Sequence, residues 1–279
     1  MIKINGEVVN IERFPDGTPK INIDVVMIEE KPYDGSSWID IEWLYEADNE
    51  LFNLFLIKKH LENNFVNVYY GLNMPYIPNA RMDRVKNDDE IFTLKYFCDF
   101  INSLNFDHIW VLDPHSYVSA ALLNNVSVAT PEGYILQAIK KLGIDNLDVN
   151  SMDDWMLFYP DEGAMKRYNT SLPYKYAFGI KKRDWKTGQI EGLDVAGCID
   201  QIKDKTILIV DDICSRGGTF YHSAKKLKEL GAKAVYLYIT HCENTILEGE
   251  LLTSGLIEKV YTTNSIFTKE HEKIEVIEL

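Results

Sequence analysis

The sequence predicts an α/β protein built from parallel sheets and divided into two domains. Short apolar runs such as residues 206–210 are typical of strands that are buried on both faces, as in parallel sheets. Segments with helical periodicity separate these runs, which gives the strand-helix-strand order of α/β folds. The chain has 279 residues, a length that suits two modest domains.

In the first half of the chain, predicted helices and strands alternate. Apolar residues at helical spacing predict a helix over residues 51–61, and the apolar run 66–72 predicts the strand that follows it. A second helix is predicted over residues 91–101, before the strand His108–Leu112. The acidic, aromatic segment 29–48 is expected to be an irregular or strand-containing connection.

The second half repeats this order from Pro131, which together with Glu132 is typical of a helix start. Strands are predicted over residues 156–159, 176–180, 206–210 and 235–239. We place the domain boundary so that the two domains comprise residues 1–127 and 128–279.

The stretch Thr206–Phe220, TILIVDDICSRGGTF, joins a buried strand, two adjacent carboxylates and a glycine-rich turn that enters a helix. Backbone N–H groups of such a turn can surround a phosphate, and the helix N-terminus adds its partial positive charge. Asp211 and Asp212 stand beside the turn, where carboxylates can hold ribose hydroxyls or Mg²⁺. The alternative interpretation is that they only cap the next helix.

This stretch resembles the phosphoribosyl-diphosphate (PRPP) binding motif, in which Asp-Asp is followed by Thr-Gly-Gly-Thr. Gly217, Gly218 and Thr219 match the motif. Arg216 replaces its first Thr and Ser215 its usual acidic residue, so the expected 5-phosphate pocket has gained a cation. The motif occurs in two enzyme groups, the phosphoribosyltransferases and the ribose-phosphate diphosphokinases (PRPP synthetases).

A second group of segments favours the PRPP synthetases. The segment 75–84, PYIPNARMDR, resembles their Pro-Tyr-x-x-x-Ala-Arg-Gln-Asp-Arg stretch with Met82 in place of Gln, and phosphoribosyltransferases do not carry it. The segment 113–116, DPHS, resembles the family's Asp-Leu-His-(Ala/Ser). The segment 13–17, RFPDG, is similar to its Arg-Phe-x-Asp-Gly.

Further matches follow in order along the second half. They are the segments 159–163 (YPDEG), 181–183 (KKR), 239–241 (ITH) and 262–266 (TTNSI), which resemble the family's Ser-Pro-Asp-x-Gly, Asp-Lys-Arg-Arg, Ala-Thr-His and a later Thr-containing strand end. Lys182 and Arg183 align with the Lys and first Arg of a flexible loop, whereas Asp184 occupies the second Arg's position. The chain is therefore identified as a divergent member of the PRPP synthetase family, short at both ends.

The resemblance implies two tandem phosphoribosyltransferase-type (type I) domains with mainly parallel central sheets, the first on the ATP side and the second on the ribose-phosphate side. It implies transfer of the β,γ-diphosphate of ATP to the anomeric C1 hydroxyl of a ribose 5-phosphate group, with Mg²⁺ as cofactor and AMP as second product. The implied ATP-binding residues are Phe14, Asp16, Arg81, Asp83, Arg84 and His115. Those for the ribose phosphate are Asp211, Asp212, Ser215, Arg216, Gly217, Gly218 and Thr219. The implied metal residues are His115 and Asp161, and the catalytic ones are Lys182, Arg183, Arg81 and His115.

Three alternatives stay open. Arg216 adds a donor fork suited to more than one phosphate, so an extended acceptor such as ADP-ribose, which would serve NAD metabolism, competes with ribose 5-phosphate. A phosphoribosyltransferase would use PRPP without ATP, and segment 75–84 speaks against it. A non-catalytic PRPP-synthetase-like regulator would lose site residues, whereas His115 and Lys182 persist here.

Composition limits the partners. The net charge of −14 argues against a nucleic-acid surface, and no stretch is apolar enough for a signal peptide or a membrane span. The four cysteines show no paired spacing, so reduced thiols and a cytoplasmic location are expected. Lys166 and Arg167 are expected to be solvated surface charges. The resemblance implies a homodimer or a higher homo-oligomer.

Overall fold

The computed structural model describes residues 1–33, 35–143, 154–183 and 190–279. It divides into two compact units, Met1–Thr130 and Pro131–Leu279. Both units contain a sheet whose central strands are parallel, which confirms the predicted α/β class.

The first unit contains a mixed sheet and three described α-helices. Its described strands are β1 (Ile2–Ile4), β2 (Glu7–Val8), β3 (Asn10–Arg13), β4 (Pro19–Asn22), β5 (Lys31–Tyr33), β6 (Ser36–Trp43), β7 (Tyr69–Asn73), β8 (His108–Leu112) and β9 (Val126–Ala129), and its helices are α1 (Glu50–Asn64), α2 (Thr93–Ser103) and α3 (Tyr117–Leu122). The sheet order is β2-β1-β6-β7-β8-β9, with β5 paired to β6. Strands β6 to β9 are mutually parallel, and β3 pairs with β4 in a separate ribbon.

The helices of this unit bury the apolar faces that their periodicity predicts. In α1, Leu54, Ile57 and Leu61 are at most 1% exposed, and they pack in one core with Leu94 and Ile101 of α2. These residues recur at the three- and four-residue spacing that places them on one face of each helix. The predicted helices over residues 51–61 and 91–101 are therefore confirmed.

Segment 29–48 contributes more to the sheet than its sequence suggested. It contains the eight-residue strand β6, which lies between β1 and β7 within the sheet. Ile39, Ile41 and Trp43 are buried and alternate with partly exposed polar residues, a period-2 pattern typical of a strand. Of the two forms expected for this connection, irregular or strand-containing, the second is confirmed.

The second unit is built around a larger run of parallel strands. Its described strands are β10 (Trp155–Tyr159), β11 (Tyr176–Arg183), β12 (Ile190–Gly197), β13 (Thr206–Cys214), β14 (Ala234–Cys242), β15 (Lys259–Thr263) and β16 (Ile274–Ile277), and its helices are α4 (Glu132–Lys141), α5 (Glu162–Tyr168) and α6 (Gly218–Glu229). The sheet order is β12-β11-β10-β13-β14-β15-β16. Only the β11–β12 pairing among these described strands is antiparallel.

The uninterrupted apolar run of β13 follows from burial on both of its faces. Ile207 and Ile209 belong to one core with Leu227 of α6, whereas Leu208 and Val210 face a second core with α4. Both neighbours of β13 in the sheet are parallel strands. Strand β13 continues to Cys214, beyond the predicted end at residue 210, so the aspartate pair lies on the strand itself.

Candidate active site

The aspartate pair lies at the carboxyl end of β13, in the middle of the second unit's sheet. Asp212 is buried and Asp211 is half-buried. The backbone N–H of Asp212 donates a hydrogen bond of 3.0 Å to Oδ1 of Asp211. The two adjacent carboxylates are thus held at a strand end that is flanked by a strand on each side.

Asp161 comes to the same edge of the sheet from the neighbouring strand. It follows β10, which is parallel to β13, so the carboxyl ends of the two strands lie side by side. Its carboxylate caps α5 by accepting a 3.1 Å hydrogen bond from the N–H of Ala164. Burial, then the charge of Asp212 and, more weakly, that of Asp161 raise the pKa of Asp211 well above its usual range.

Arg167 makes an ion pair with the aspartate pair, contrary to the expectation from sequence. Its Nη1 lies 3.2 Å from Oδ2 of Asp212, and the Asp212 side chain is only 6% exposed. Lys166, by contrast, is a surface charge as expected, because it pairs with Glu162 across one helical turn and is 68% exposed. Helix α5, which Asp161 caps, therefore also contains the arginine that pairs with the Asp212 carboxylate.

The glycine turn after β13 opens a helix whose first backbone N–H groups are available to a ligand. Gly217 has a φ of +80°, in the left-handed region that glycine adopts without strain, and α6 starts at the next residue. Within the described residues, no side chain makes a capping hydrogen bond at this start. The first N–H groups of a helix have no partner inside it, so this turn can bind a phosphate group.

Arg216 pairs with a residue that the sequence did not single out. Its Nη2 lies 3.1 Å from Oε2 of Glu248, and both side chains are largely exposed. The next residue, Gly249, packs against the Arg216 backbone so closely that a Cβ there would lie 1.9 Å from the carbonyl oxygen of Arg216. The segment after β14 thus packs against the glycine turn of residues 215–218, called the phosphate turn below because of its proposed ligand. No local sequence motif indicates this contact.

His241, the last residue of the segment 239–241, belongs to a buried polar network. Its Nδ1 lies 2.8 Å from Oγ of Ser265, and the ring is 3% exposed. The hydroxyls of Thr263 and Ser265 both donate to the carbonyl oxygen of Thr240, at 2.6 and 3.3 Å. These contacts join the carboxyl ends of β14 and β15 beside the aspartate strand.

In the first unit, the two predicted ATP segments leave the same edge of the sheet. Segment 75–84 follows β7 and segment 113–116 follows the parallel strand β8. The N–H of Leu112 donates to the carbonyl oxygen of Pro75 at 3.0 Å, which ties the two strand ends together. Arg81, in the first segment, is exposed and His115, in the second, is half-buried.

The local conformations of these segments are well defined. Asp113 has a φ of +40° and is buried, so the chain turns sharply immediately after β8. Ser116 caps α3 by accepting a hydrogen bond from the N–H of Val118. Nε of Arg84 lies 3.9 Å from Oδ1 of Asp83, and the Arg84 side chain is 76% exposed.

Phe14 lies in the turn of the β3–β4 ribbon and is exposed. Gly17 has a φ of +87°, and its N–H donates to the carbonyl oxygen of Phe14. Oδ1 of Asp16 accepts a 2.9 Å hydrogen bond from the N–H of Thr18, and this bond lowers the pKa of Asp16. The turn thus presents an aromatic ring and a carboxylate to solvent on a fixed backbone.

The loop predicted to act on the diphosphate is described only in part. The backbone of Lys182 and Arg183 lies in β11, where these residues pair with Gly192 and Ile190. Their side chains, and Asp184 as a whole, lie outside the described residues. Their predicted roles therefore stay predictions.

The described residues contain no preformed metal cage, since no group of three or more His, Cys, Asp or Glu side chains among them is arranged to hold an ion. Two cavities of about 720 and 530 Å³ lie in the first unit. The larger is lined by β4 and α1, including Ile21, Ile57 and His60, and neither cavity is lined by any predicted site residue. In the described part of the chain, every helix is too short or too polar to cross a bilayer.

The fold and the strand-end motif place the chain in a class of two-unit α/β proteins with phosphoribosyltransferase-type sheets. The crystal structure of phosphoribosylpyrophosphate synthetase from Mycobacterium smegmatis has the same fold, with a TM-score of 0.73 and 20% identity over 97% of this chain and 86% of that one. No protein-family model matches the chain.

Curated relatives agree with this likeness. The ribose-phosphate pyrophosphokinase of Thermococcus kodakarensis is 28% identical over 270 residues, which cover 93% of this chain and 86% of the relative. The enzymes of that name from Pyrococcus abyssi and Bacillus subtilis are 28% and 26% identical over 99% and 95% of this chain, and these matches cover 91% and 80% of the relatives. These matches confirm the likeness to the ribose-phosphate pyrophosphokinases, also called PRPP synthetases, and the enzyme class inferred from the motifs.

Proposed function

We propose that the protein transfers the β,γ-diphosphate of ATP to the anomeric C1 hydroxyl of a ribose that carries a 5-phosphate group, and releases AMP. One observation carries this proposal: the Asp211–Asp212 pair is joined by the short segment 213–217 to a helix start without a side-chain cap, in a chain whose relatives are named ribose-phosphate pyrophosphokinases. Carboxylates suit sugar hydroxyls and free helix N–H groups suit a phosphate, so the two halves of a ribose phosphate have complementary partners here.

In the second unit, we assign the acceptor to the end of β13. Asp211 and Asp212 would accept hydrogen bonds from ribose hydroxyls, and residues 215–219 would surround the 5-phosphate. The left-handed backbone of Gly217 supports this role, because it turns the chain directly from the strand into α6.

In the first unit, we assign ATP to the segments that follow β7 and β8 and to the β3–β4 turn. Arg81 would hold the phosphates and His115 would lie near them, because both segments leave the same sheet edge. The exposed ring of Phe14, with Asp16 beside it, would contact the adenine.

The chemistry that we propose needs charge stabilisation more than proton transfer. An in-line attack of the C1 oxygen on the β-phosphorus of ATP spreads negative charge over phosphate oxygens. Lys182 and Arg183 would donate hydrogen bonds to these oxygens and neutralise their charge. Asp211 and Asp212 would orient the C1 hydroxyl through the neighbouring sugar hydroxyls.

The residues present suit Mg²⁺. This ion prefers oxygen ligands and usually takes one or two carboxylates together with substrate phosphates, instead of a dedicated protein cage. Asp161, at the strand end beside Asp211 in the second unit, and His115, in the first unit, are each expected to lie near a bound Mg²⁺. When bound, Mg²⁺ would neutralise charge on the diphosphate oxygens.

The acceptor has two candidates. Ribose 5-phosphate is the acceptor that the relatives' name implies, whereas ADP-ribose would need a second phosphate contact. Arg216 supports the second candidate, because its side chain is 73% exposed and follows directly on Ser215 in the turn assigned to the 5-phosphate. We expect Arg216→Thr, which restores the motif residue, to lower turnover with ADP-ribose more than turnover with ribose 5-phosphate.

The test is AMP release from ATP and Mg²⁺ with each acceptor supplied separately. The proposal expects AMP with at least one of them and an equal amount of product diphosphorylated at C1. AMP with ribose 5-phosphate and none with ADP-ribose would remove the extended acceptor. Consumption of PRPP and a base without ATP would support a phosphoribosyltransferase instead. Acceptor binding without turnover in any combination would support a non-catalytic regulator.

We also propose a homodimer or higher homo-oligomer and a cytoplasmic location, as the family resemblance suggests. The four cysteines are all present as thiols, which supports a reducing compartment. Sedimentation of the purified protein at several concentrations would test the oligomeric state.

A further inference from the structure

Arg167 belongs to none of the family-like segments named above, yet it makes an ion pair with Asp212, which lies in the proposed acceptor site. The Nη1–Oδ2 distance is 3.2 Å, and the two side chains are 23% and 6% exposed. An ion pair at this distance, with its carboxylate buried, is screened less by solvent and salt than a surface ion pair. It is therefore expected to fix the position of the Asp212 carboxylate.

The surroundings of Asp212 make such a partner necessary. Asp211 is the adjacent residue, and Asp161 lies close enough for its charge to raise the pKa of Asp211. Carboxylates this close repel one another, and a buried carboxylate without a cation is unfavourable. The guanidinium offers a planar fork of N–H donors, which restrains the orientation of a carboxylate as well as its charge.

The backbone that carries Arg167 is itself anchored at the same sheet edge. Asp161 caps the start of α5, and Arg167 lies in the last turn of this short helix. Ala164 and Tyr168 on the buried face of α5 are 6% and 1% exposed and belong to the core beneath the sheet. The helix therefore fixes Asp161 at one end and delivers the partner of Asp212 at the other.

We propose that Arg167 is a positioning residue, which holds the Asp212 carboxylate in the orientation that accepts hydrogen bonds from the hydroxyls of the acceptor ribose. This inference rests on the proposed function, and it assigns Arg167 no contact with ATP. Loss of Arg167 should therefore weaken binding of the acceptor and change binding of ATP little.

The test compares Arg167→Met and Arg167→Gln with Lys166→Met and Lys166→Gln. Both positions lie on α5 and lose the same charge, but Lys166 pairs with Glu162 on the surface. For the Arg167 variants we expect the acceptor KM to rise about tenfold or more, the size of effect typical of losing a charged hydrogen bond, with the ATP KM within about twofold. The Lys166 variants should match the wild type. Arg167→Lys should recover part of the acceptor affinity, since it restores charge without the planar fork.

Calorimetric titration of the acceptor without ATP gives a second readout that does not depend on turnover. Acceptor affinity and KM unchanged in a folded Arg167→Met or Arg167→Gln variant would overturn the inference. An equal rise of both KM values, or failure of both variants to fold, would make Arg167 a general structural residue and would also overturn it. Absence of AMP release by the wild type with every acceptor would instead reject the proposed function itself.

Discussion

The carbonyl oxygen of Arg216 occupies the space in which a side chain at Gly249 would begin, since a Cβ there would lie 1.9 Å from it. Gly249 has a φ of −91°, which any residue adopts, so the requirement for glycine comes from this contact and not from the backbone angle. The phosphate turn and the segment after β14 therefore fit each other only without a side chain at position 249.

Gly249→Ala is expected to destabilise the protein and to displace the phosphate turn. Overpacking of this kind costs about 1–3 kcal/mol, and here it acts on the backbone of the proposed 5-phosphate site. Urea unfolding and acceptor titration would measure both effects. Gly133→Ala is the control, because a Cβ there meets no atom within 4 Å and alanine favours the α4 helix. Equal stability of the Gly249→Ala protein and the wild type would contradict the packing described above.

Lys58 is expected to contribute to stability through its hydrocarbon stem more than through its charge. Its side chain is 1% exposed, and its Nζ lies 2.6 Å from Glu62 and 4.1 Å from the centre of the Tyr70 ring. Glu62 is partly exposed and keeps a second cation, Lys59, at 2.8 Å, so loss of the Lys58 charge alone should cost little, whereas truncation of the stem leaves a cavity. Lys58→Met should thus stay within about 1 kcal/mol of the wild type, and Lys58→Ala should lose about 2 kcal/mol or more.

The stability contributed by Lys58 is also expected to depend on pH. Burial lowers the pKa of Lys58 below its ordinary value of 10.5, so between the two values the unfolded chain binds more protons than the folded one. Folding stability then rises with pH through that window. The wild type should gain stability relative to Lys58→Met as the pH increases toward 10.5. Lys59→Met, which removes an exposed cation that pairs with the same Glu62, is the control for the loss of a positive charge beside that carboxylate.

Asp211→Asn is expected to stabilise the folded protein at neutral pH and to weaken acceptor binding. Burial and the charge of Asp212 raise the pKa of Asp211, so the folded state binds its proton more tightly than the unfolded chain does. The wild type therefore loses stability as the pH rises from about 4 through the folded pKa, and the neutral amide does not. Unfolding in EDTA across this range would show the difference in stability between Asp211→Asn and the wild type growing with pH. A difference that shrinks as the pH rises would have the wrong sign.

Lys182→Ala is expected to lower AMP release by about a hundredfold or more, because it removes a cation that the proposed mechanism places on the charge-accumulating oxygens. Acceptor affinity, measured by calorimetry, should change little, since the 5-phosphate and the ribose hydroxyls have other partners. Lys233→Ala serves as the control, because Lys233 is exposed and precedes β14 at the opposite edge of the sheet. Turnover that survives in Lys182→Ala would remove Lys182 from the catalytic residues.

Much of the fold could be predicted because its signals are local. The run 206–210 has no polar residue from Ile207 onward, and this pattern alone indicates a strand covered on both faces. Strand β6 was harder to recognise, because its alternating pattern is flanked by acidic and aromatic residues on both sides. Its position inside the sheet depends on pairing with β1 and β7, which lie elsewhere in the sequence.

In the candidate site, too, some residues could be predicted from the sequence and others could not. The aspartate pair and its glycine turn form one contiguous segment, so residue type and order were sufficient to find them. Arg167 was interpreted as solvated because nothing near it in sequence suggests a buried partner, and neighbouring Lys166 fits the same pattern. The difference between the two arises from which face of α5 meets the sheet.

The order of residues along the chain thus determined the α/β class, the family and the strand-end motif, because each depends on side chains that are neighbours in sequence. The tertiary structure alone decided that Arg167 reaches Asp212, that Glu248 pairs with Arg216 and that Gly249 must lack a side chain. The physical reason is that parallel strands bring distant segments to one sheet edge, where charge and volume are matched between residues that no local pattern connects.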